Sequence, residues 1–287
     1  MMRFCLMVVA VGALLAQAQF APAVAEWNRV IEPFRVAGNV YYVGVADVSA
    51  FLITTPKGHF LLDAGFIESA PIIESNIAKL GFKMSDVKML LISHAHYDHV
   101  AGMAAIMKRT AAQLWAMEQE RGQLLRGGKG DFAFGDKYPF PPVTPTHTLH
   151  DGETLNLGGV TMTAHLTPGH TRGCTTWTTA VNEGGKRLNV VIPCSISAPG
   201  YQLIGNTKYP EILDDYERSF AKLLAMPCDI HLSLHSWDFD LHKKLKAWRE
   251  NPAVNPFIDG QAFVQYVERG RAAARASAAK QRGGKSR

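Results

Sequence analysis

The residues Ser93-His94-Ala95-His96-Tyr97-Asp98-His99 constrain this chain more than any other stretch. They follow at once on residues 88–92 (KMLLI), a short apolar run that reads as a buried strand. Three imidazoles and a carboxylate within six positions are costly next to a core unless something pairs them. With eleven His in 287 residues, the cluster stands far above background. A loop at a strand end can turn such side chains into one space while the strand holds it rigid. Imidazole is the commonest metal ligand and carboxylate adds a hard oxygen, so the stretch points to a metal centre. A helix expected from about Val100 to Arg109 would bring unpaired N–H groups near the Asp98 carboxylate. Two further histidines share this setting. His170 follows an expected strand at 160–165 through the turn residues Pro168 and Gly169, and His235 ends the run 229–235 (DIHLSLH). Either alone reads as a structural histidine; beside the cluster both become candidate ligands.

The rest of the chain alternates β-rich and helical stretches. Residues 40–46, 51–55 and 59–63 read as strands, the last two joined as a hairpin by Thr55-Pro56-Lys57-Gly58. Residues 67–80 have helical spacing and stop at Gly81. Residues 122–145 are rich in Gly, Pro and aromatics and read as a long loop. Strands are expected again at 174–181, 187–192 and 229–233, and helices at 211–226, 241–250 and 259–271. Two β-rich halves, each followed by helices, fit two sheets face to face with helices outside, a four-layer α/β arrangement.

The N-terminus reads as an export signal over residues 1–25. Arg3 precedes an apolar run of 13 residues ending near Ala16, and the small-x-small site Ala23-Val24-Ala25 follows. The run is short of the roughly 20 residues a membrane span needs. Export predicts a periplasmic or secreted protein with no stable membrane insertion. The net charge of +5 does not signal nucleic acid, because seven Lys or Arg and no acids lie in 269–287. Without these and Arg3, the body 26–268 carries about −3. The basic, Ala- and Gly-rich end reads as a disordered tail. Of four cysteines, Cys5 leaves with the signal, so Cys174, Cys194 and Cys228 allow one bridge at most.

The H-x-H-x-D-H element, here His94, His96, Asp98 and His99, resembles the signature of the metallo-β-lactamase superfamily, and the resemblance runs from about Trp27 to Val267. It implies the αβ/βα sandwich and a hydrolase with two Zn²⁺ per chain. It places His94, His96 and His170 at one zinc, and Asp98, His99 and His235 at the other. Glyoxalase-type members carry a metal-bridging Asp between the last two histidines. Here the corresponding run, Cys194-Ser195-Ile196-Ser197-Ala198-Pro199-Gly200-Tyr201, has none and is similar to subclass B3 β-lactamases. That likeness implies opening of the β-lactam ring of penicillins, cephalosporins and carbapenems by attack of a zinc-bound hydroxide. Asp98 would orient the nucleophile, Ser195 would bond near the second zinc, and Ser197 would bind the substrate carboxylate. It implies a monomer acting on a small molecule, with no nucleic-acid partner. The alternative is an exported metallo-hydrolase of the same fold acting on a lactone or other ester. Many B3 enzymes pair a cysteine at the position of Cys228 with one near residue 262; that second cysteine is absent, so Cys228 is expected free and buried. Cys194 has a second reading as a metal ligand, the role a Cys plays in subclass B1.

Asp63, ending the strand 59–63, reads equally as a turn carboxylate or as a support for a ligand. His59, His147, His150 and His242 read as surface residues, and His165 and His231 as half-buried ones. Trp177 and Trp248 read as core. Phe132, Phe134, Tyr138 and Phe140, and the loop 198–209, read as borders of a cleft.

Overall fold

The computed structural model describes residues 24–284, so the expected signal, apart from its last two residues, lies outside the described residues. Twelve strands form two mixed sheets. The first sheet runs β1 (Phe34–Ala37), β2 (Val40–Tyr42), β3 (Phe51–Thr55), β4 (Gly58–Leu62), β5 (Val87–Leu91), β6 (Gln113–Met117) and β7 (His147–Leu149), in that order. Its first four strands are antiparallel and β4 to β7 are parallel. In the second sheet, β8 (Thr154–Leu157), β9 (Val160–Leu166), β10 (Thr175–Glu183) and β11 (Lys186–Ile192) form an antiparallel meander, and β12 (Ile230–His231) pairs parallel to β11.

Strand alternation explains why these runs are apolar throughout. Phe51 and Ile53 of β3, Phe60 and Leu62 of β4, and Val190 and Ile192 of β11 point into a core between the sheets, around Trp177. Leu52, Leu61 and Leu90 point to the outer face of the first sheet. There α1 (Ser69–Lys79) and α3 (Met103–Arg109) cover them with Ile73, Ile77 and Ile106. Val191 points to the outer face of the second sheet, under α5 (Ile212–Leu224) and α7 (Gly260–Gly284). Three apolar interfaces make four layers. The short α2 (Tyr97–Val100), α4 (Glu118–Leu125) and α6 (Leu241–Glu250) complete the helices used below.

Several expectations are corrected. The supposed disordered tail is helix as far as Gly284: Ala274 and Ala278 are buried, Arg275 makes two 2.7 Å bonds to Glu217, and Gln281 binds the loop 201–204. Alanine buries little area per residue, so its packed face left no apolar stripe to read. The long loop at 122–145 begins inside α4. His59 is buried rather than on the surface, because its Nδ1 accepts the Thr55 N–H (3.3 Å) and its ring meets Phe82. His147 stacks on Trp115, and His231 is fully rather than half buried, against Phe263 and Tyr266. Among the described residues no helix is long and apolar enough to cross a membrane.

Candidate metal centre

The loops that leave the strand ends meet along one edge of the sandwich. Ser93–His99 follows β5, His170 follows β9, Ser195 and Ser197 follow β11, and His235 follows β12. Backbone bonds tie these loops across the two sheets: Thr175 N–H donates to Ser93 O (2.8 Å) and Ser49 N–H to Leu234 O (2.8 Å).

All six candidate ligands come together, in two groups. The donor atoms of His94, His96 and His170 lie within 4.8 Å of one another, as do those of Asp98, His99 and His235. In the first group His96 Nδ1 is 3.1 Å from His170 Nε2. In the second, Asp98 Oδ2 is 3.4 Å from His99 Nε2 and 3.6 Å from His235 Nε2. The His94 and His99 rings, 4.4 Å apart, join the groups. His94 Nε2 and His99 Nε2 are buried without a hydrogen-bond partner. An unpaired buried polar atom costs about 1–3 kcal/mol, and a metal ion would remove that cost. A set of three imidazoles beside one of two imidazoles and a carboxylate suits Zn²⁺.

The outward nitrogens fix which ring nitrogen is left with a lone pair. A carbonyl can only accept, so His170 Nδ1–H donates to Ser197 O (2.7 Å) and His235 Nδ1–H to Asp47 O (3.1 Å), leaving both Nε2 atoms as inward lone pairs. Ser93 Oγ–H donates to Asp63 Oδ2 (2.6 Å), so Ser93 Oγ accepts from His94 Nδ1 (3.1 Å). His99 Nδ1 faces Asp63 Oδ2 at 3.4 Å, and His96 Nε2 faces Asp131 Oδ2 at 3.5 Å. Asp63 therefore supports two ligands, from a left-handed backbone conformation (φ 61°) that an Asp tolerates.

Burial and the neighbouring imidazoles hold His94 well below the usual histidine range, His170 down at about 3 and His235 at about 4. These rings are neutral, as ligands must be. Burial opposes charge on His99 too, but the Asp98 and Asp63 carboxylates outweigh it and raise it to about 10. Asp98, despite its burial, is held below the usual carboxylate range by His99 and His235.

Sequence reasoning missed Glu120 on α4. Its buried carboxylate accepts the Ala95 N–H (3.0 Å), the Gly173 N–H (2.9 Å) and the Thr171 hydroxyl. It thereby clamps the His94–His96 loop to the His170 loop. Gly173 permits this approach, since a Cβ there would lie 2.6 Å from Glu120 Cγ. Nothing in the sequence marks Glu120, an acid in the first turn of a helix like many others. Asp131, in a Gly-Lys-Gly-Asp turn, and Asp47, which acts through its carbonyl, carry no clearer signal.

Cys174 and Cys194 form a disulfide directly under His94. Their sulfurs are near enough to His94 to form a metal-sized group, but bonded sulfurs offer no thiolate, so Cys194 is not a ligand. Cys228 is free, half-buried rather than buried, and burial pushes its thiol up to about 12.

A cavity of about 340 Å³ lies over both groups. Phe134, Tyr138, Trp27 and Trp237 supply its apolar walls, and Ser197 and Asp98 also line it. Trp237 stacks on His235 at 4.4 Å. Ser195 is buried behind Ser197, with the two hydroxyl oxygens 3.0 Å apart. Of the other expected border aromatics, Phe140 is buried in the outer core and Phe132 packs on Tyr201 and Tyr209.

Residues 43–181 match the sequence profile of the Metallo-beta-lactamase superfamily. The native FEZ-1 metallo-beta-lactamase from Legionella gormanii is 43% identical and superposes with a TM-score of 0.87, covering 89% of this chain and 98% of that one. BJP-1, a subclass B3 metallo-beta-lactamase of Bradyrhizobium japonicum, is 37% identical with a TM-score of 0.85, over 91% of this chain and 99% of that one. Among curated proteins, a metal-dependent hydrolase of Anaeromyxobacter sp. (strain K) is 27% identical over 62% of this chain, and a hydroxyacylglutathione hydrolase of Jannaschia sp. (strain CCS1) is 26% identical over 44%. The chain spans 60% and 41% of the lengths of these two relatives.

Proposed function

This chain belongs to the metallo-β-lactamase superfamily, and on that premise we propose that it is an exported dizinc enzyme that opens the ring of β-lactam antibiotics. The observation that carries this reading is what the segment after β11 brings to the cleft over the two donor groups. The segment after β11 offers Ser195 and Ser197 hydroxyls, 3.0 Å apart, and no carboxylate. Hydroxyls leave that side of the cleft able to donate hydrogen bonds to an anionic substrate, where an acidic ligand would repel it. The full-length likeness to subclass B3 enzymes supports the same choice.

His94, His96 and His170 would hold one Zn²⁺, and Asp98, His99 and His235 the other. When bound, the two ions supply a water acidified towards neutral pH and a Lewis acid for the carbonyl. The chain's own residues do the rest. Ser197, steadied by Ser195, receives the ring carboxylate. Trp27, Phe134, Tyr138 and Trp237 cover the apolar parts of the antibiotic and exclude water. Asp98, lining the cavity and held ionised by His99 and His235, orients the attacking water, and the proton that water gives up goes to the ring nitrogen as the C–N bond breaks. The N-terminal apolar run directs the protein to the periplasm or beyond, where these drugs are met. The test is hydrolysis of nitrocefin by purified protein with zinc counted per chain, beside lactone and thioester panels. We expect nitrocefin turnover with two zinc ions per chain, loss with a chelator and recovery with added zinc. Turnover of a thioester or lactone without any β-lactam would overturn the reading.

A further inference from the structure

A second cavity, of about 490 Å³, opens beside the metal cleft and shares Ser197, Pro199, Trp237 and Asp238 with it. Its far wall is one face of α7, where Tyr266, Arg269, Gly270, Ala273, Ala274 and Ser277 recur at helical spacing. Gly270 brings this wall in: a Cβ there would lie 2.4 Å from Ile196 Cδ1, so the helix stands directly against the Ser195–Ser197 segment. Farther along, Gln281 accepts the Leu203 and Ile204 N–H groups (2.8 and 3.1 Å) and donates to Tyr201 O (2.8 Å). The helix thus fixes the loop that borders the cleft, and the lobe is part of the same built site.

Charge singles out one residue in it. Among the described residues no Lys or Arg lines the metal cavity, and Arg269 is the one cation lining the lobe. Its basic neighbours on α7 are engaged, Arg271 with Glu268 and Arg275 with Glu217. Arg269 is exposed and has no ion pair or hydrogen bond among the described residues. The acid in the lobe, Asp238, accepts from Ser233 Oγ (3.2 Å). Trp237, 51% exposed, stands between the two spaces with apolar surface on offer.

We propose that the lobe is a substituent subsite with Arg269 as its charge selector. This rests on the ring-opening reading with the substrate carboxylate at Ser197. In a cephalosporin, the ring atom next to the carboxylate-bearing carbon carries the variable substituent. A carboxylate held at Ser197 therefore directs that substituent past Ser197 and Trp237 into the lobe. Its apolar part lies on Trp237 and the small-residue face of α7, and the guanidinium favours substituents that end in an anion.

The experiment uses zinc-loaded enzyme and cephalosporins that differ only in that substituent, one ending in a carboxylate, one in a quaternary ammonium and one a bare methyl. The readout is the ratio of kcat/KM for the anionic over the cationic compound, in which any loss of folded enzyme cancels. An exposed charge pair predicts a ratio of roughly threefold to tenfold at low ionic strength, shrinking with added salt. Arg269→Gln should bring the ratio near one, and Arg269→Glu should invert it. Ala273→Phe, which fills the lobe, should raise KM for both long substituents relative to the methyl compound. A ratio of one in the wild type, or a ratio untouched by both Arg269 variants, overturns the subsite. If the wild type opens none of the three, the ring-opening reading itself fails and the subsite falls with it.

Discussion

Each imidazole at the centre has two nitrogens, and the protein has assigned one of them outward. Carbonyls take those of His170 and His235, Ser93 takes that of His94, and carboxylates face those of His99 and His96 at 3.4 and 3.5 Å. Such partners fix ring orientation and raise ligand basicity, and losing one typically costs 10–100-fold in metal affinity. Asp131 is the partner best suited to a test, because its turn stands apart from the strands. Asp131→Ala should weaken zinc binding at His94, His96 and His170 by about tenfold or more in competition with a chromophoric chelator, while any ion held by Asp98, His99 and His235 keeps its affinity. Equal affinities in mutant and wild type would show that His96 needs no such support. The six donors were legible in the sequence because histidines are scarce and these sit at strand ends. Their supports were not: Asp131, Glu120 and the Asp47 carbonyl are ordinary residues in ordinary places, brought near only by chain crossings. Asp63 was half legible, since its strand-end position fitted a turn equally well.

A single hairpin carries much of the burden of holding the site together. β10 and β11 pair from Trp177–Ile192 to Glu183–Lys186, and their open end faces the metal groups. The Cys174–Cys194 bridge closes that end, across a sequence separation of 20 residues. Chain entropy for a loop of this size assigns the bridge about 3 kcal/mol. The double variant Cys174→Ser/Cys194→Ser should therefore unfold in urea with ΔG lower by about that amount, and an unchanged midpoint would show that packing alone closes the hairpin. The sequence allowed one bridge among three thiols but could not say which, since pairing depends on how β10 and β11 register. Elements with an amphipathic stripe or a β-branched run were read well. The helix expected at 241–250 is Leu241–Glu250, and the strand expected at 51–55 is Phe51–Thr55. Elements without one were lost. β6 and β7 are short parallel strands with little alternation, α4 is polar nearly all round, and the end of α7 packs with alanines.

The two donor groups draw on both halves of the sandwich, so the site survives only as long as the three apolar interfaces hold. The interface under α7 contains a weak point. His231 on β12 is fully buried against Phe263 and Tyr266, and neither ring nitrogen has a partner. Burial, with Lys244 and Arg269 nearby, lowers its pKa to about 3. The unfolded chain takes up a proton there near pH 6.5, whereas the folded protein resists until far lower pH. A histidine depressed in this way favours the unfolded state progressively as pH falls below about 6.5, and its penalty is absent above that. Between pH 8 and pH 5 the difference amounts to about 2 kcal/mol. His231→Leu removes the titrating group and keeps an apolar side chain among the same aromatic neighbours. With both proteins stripped of metal, so that loss of zinc contributes equally, urea unfolding should show the variant gaining on the wild type by about that amount as pH drops from 8 to 5. Parallel curves across that range would mean that the folded protein protonates this ring as readily as the unfolded chain, and the acid sensitivity of the fold would then have to come from elsewhere in the molecule.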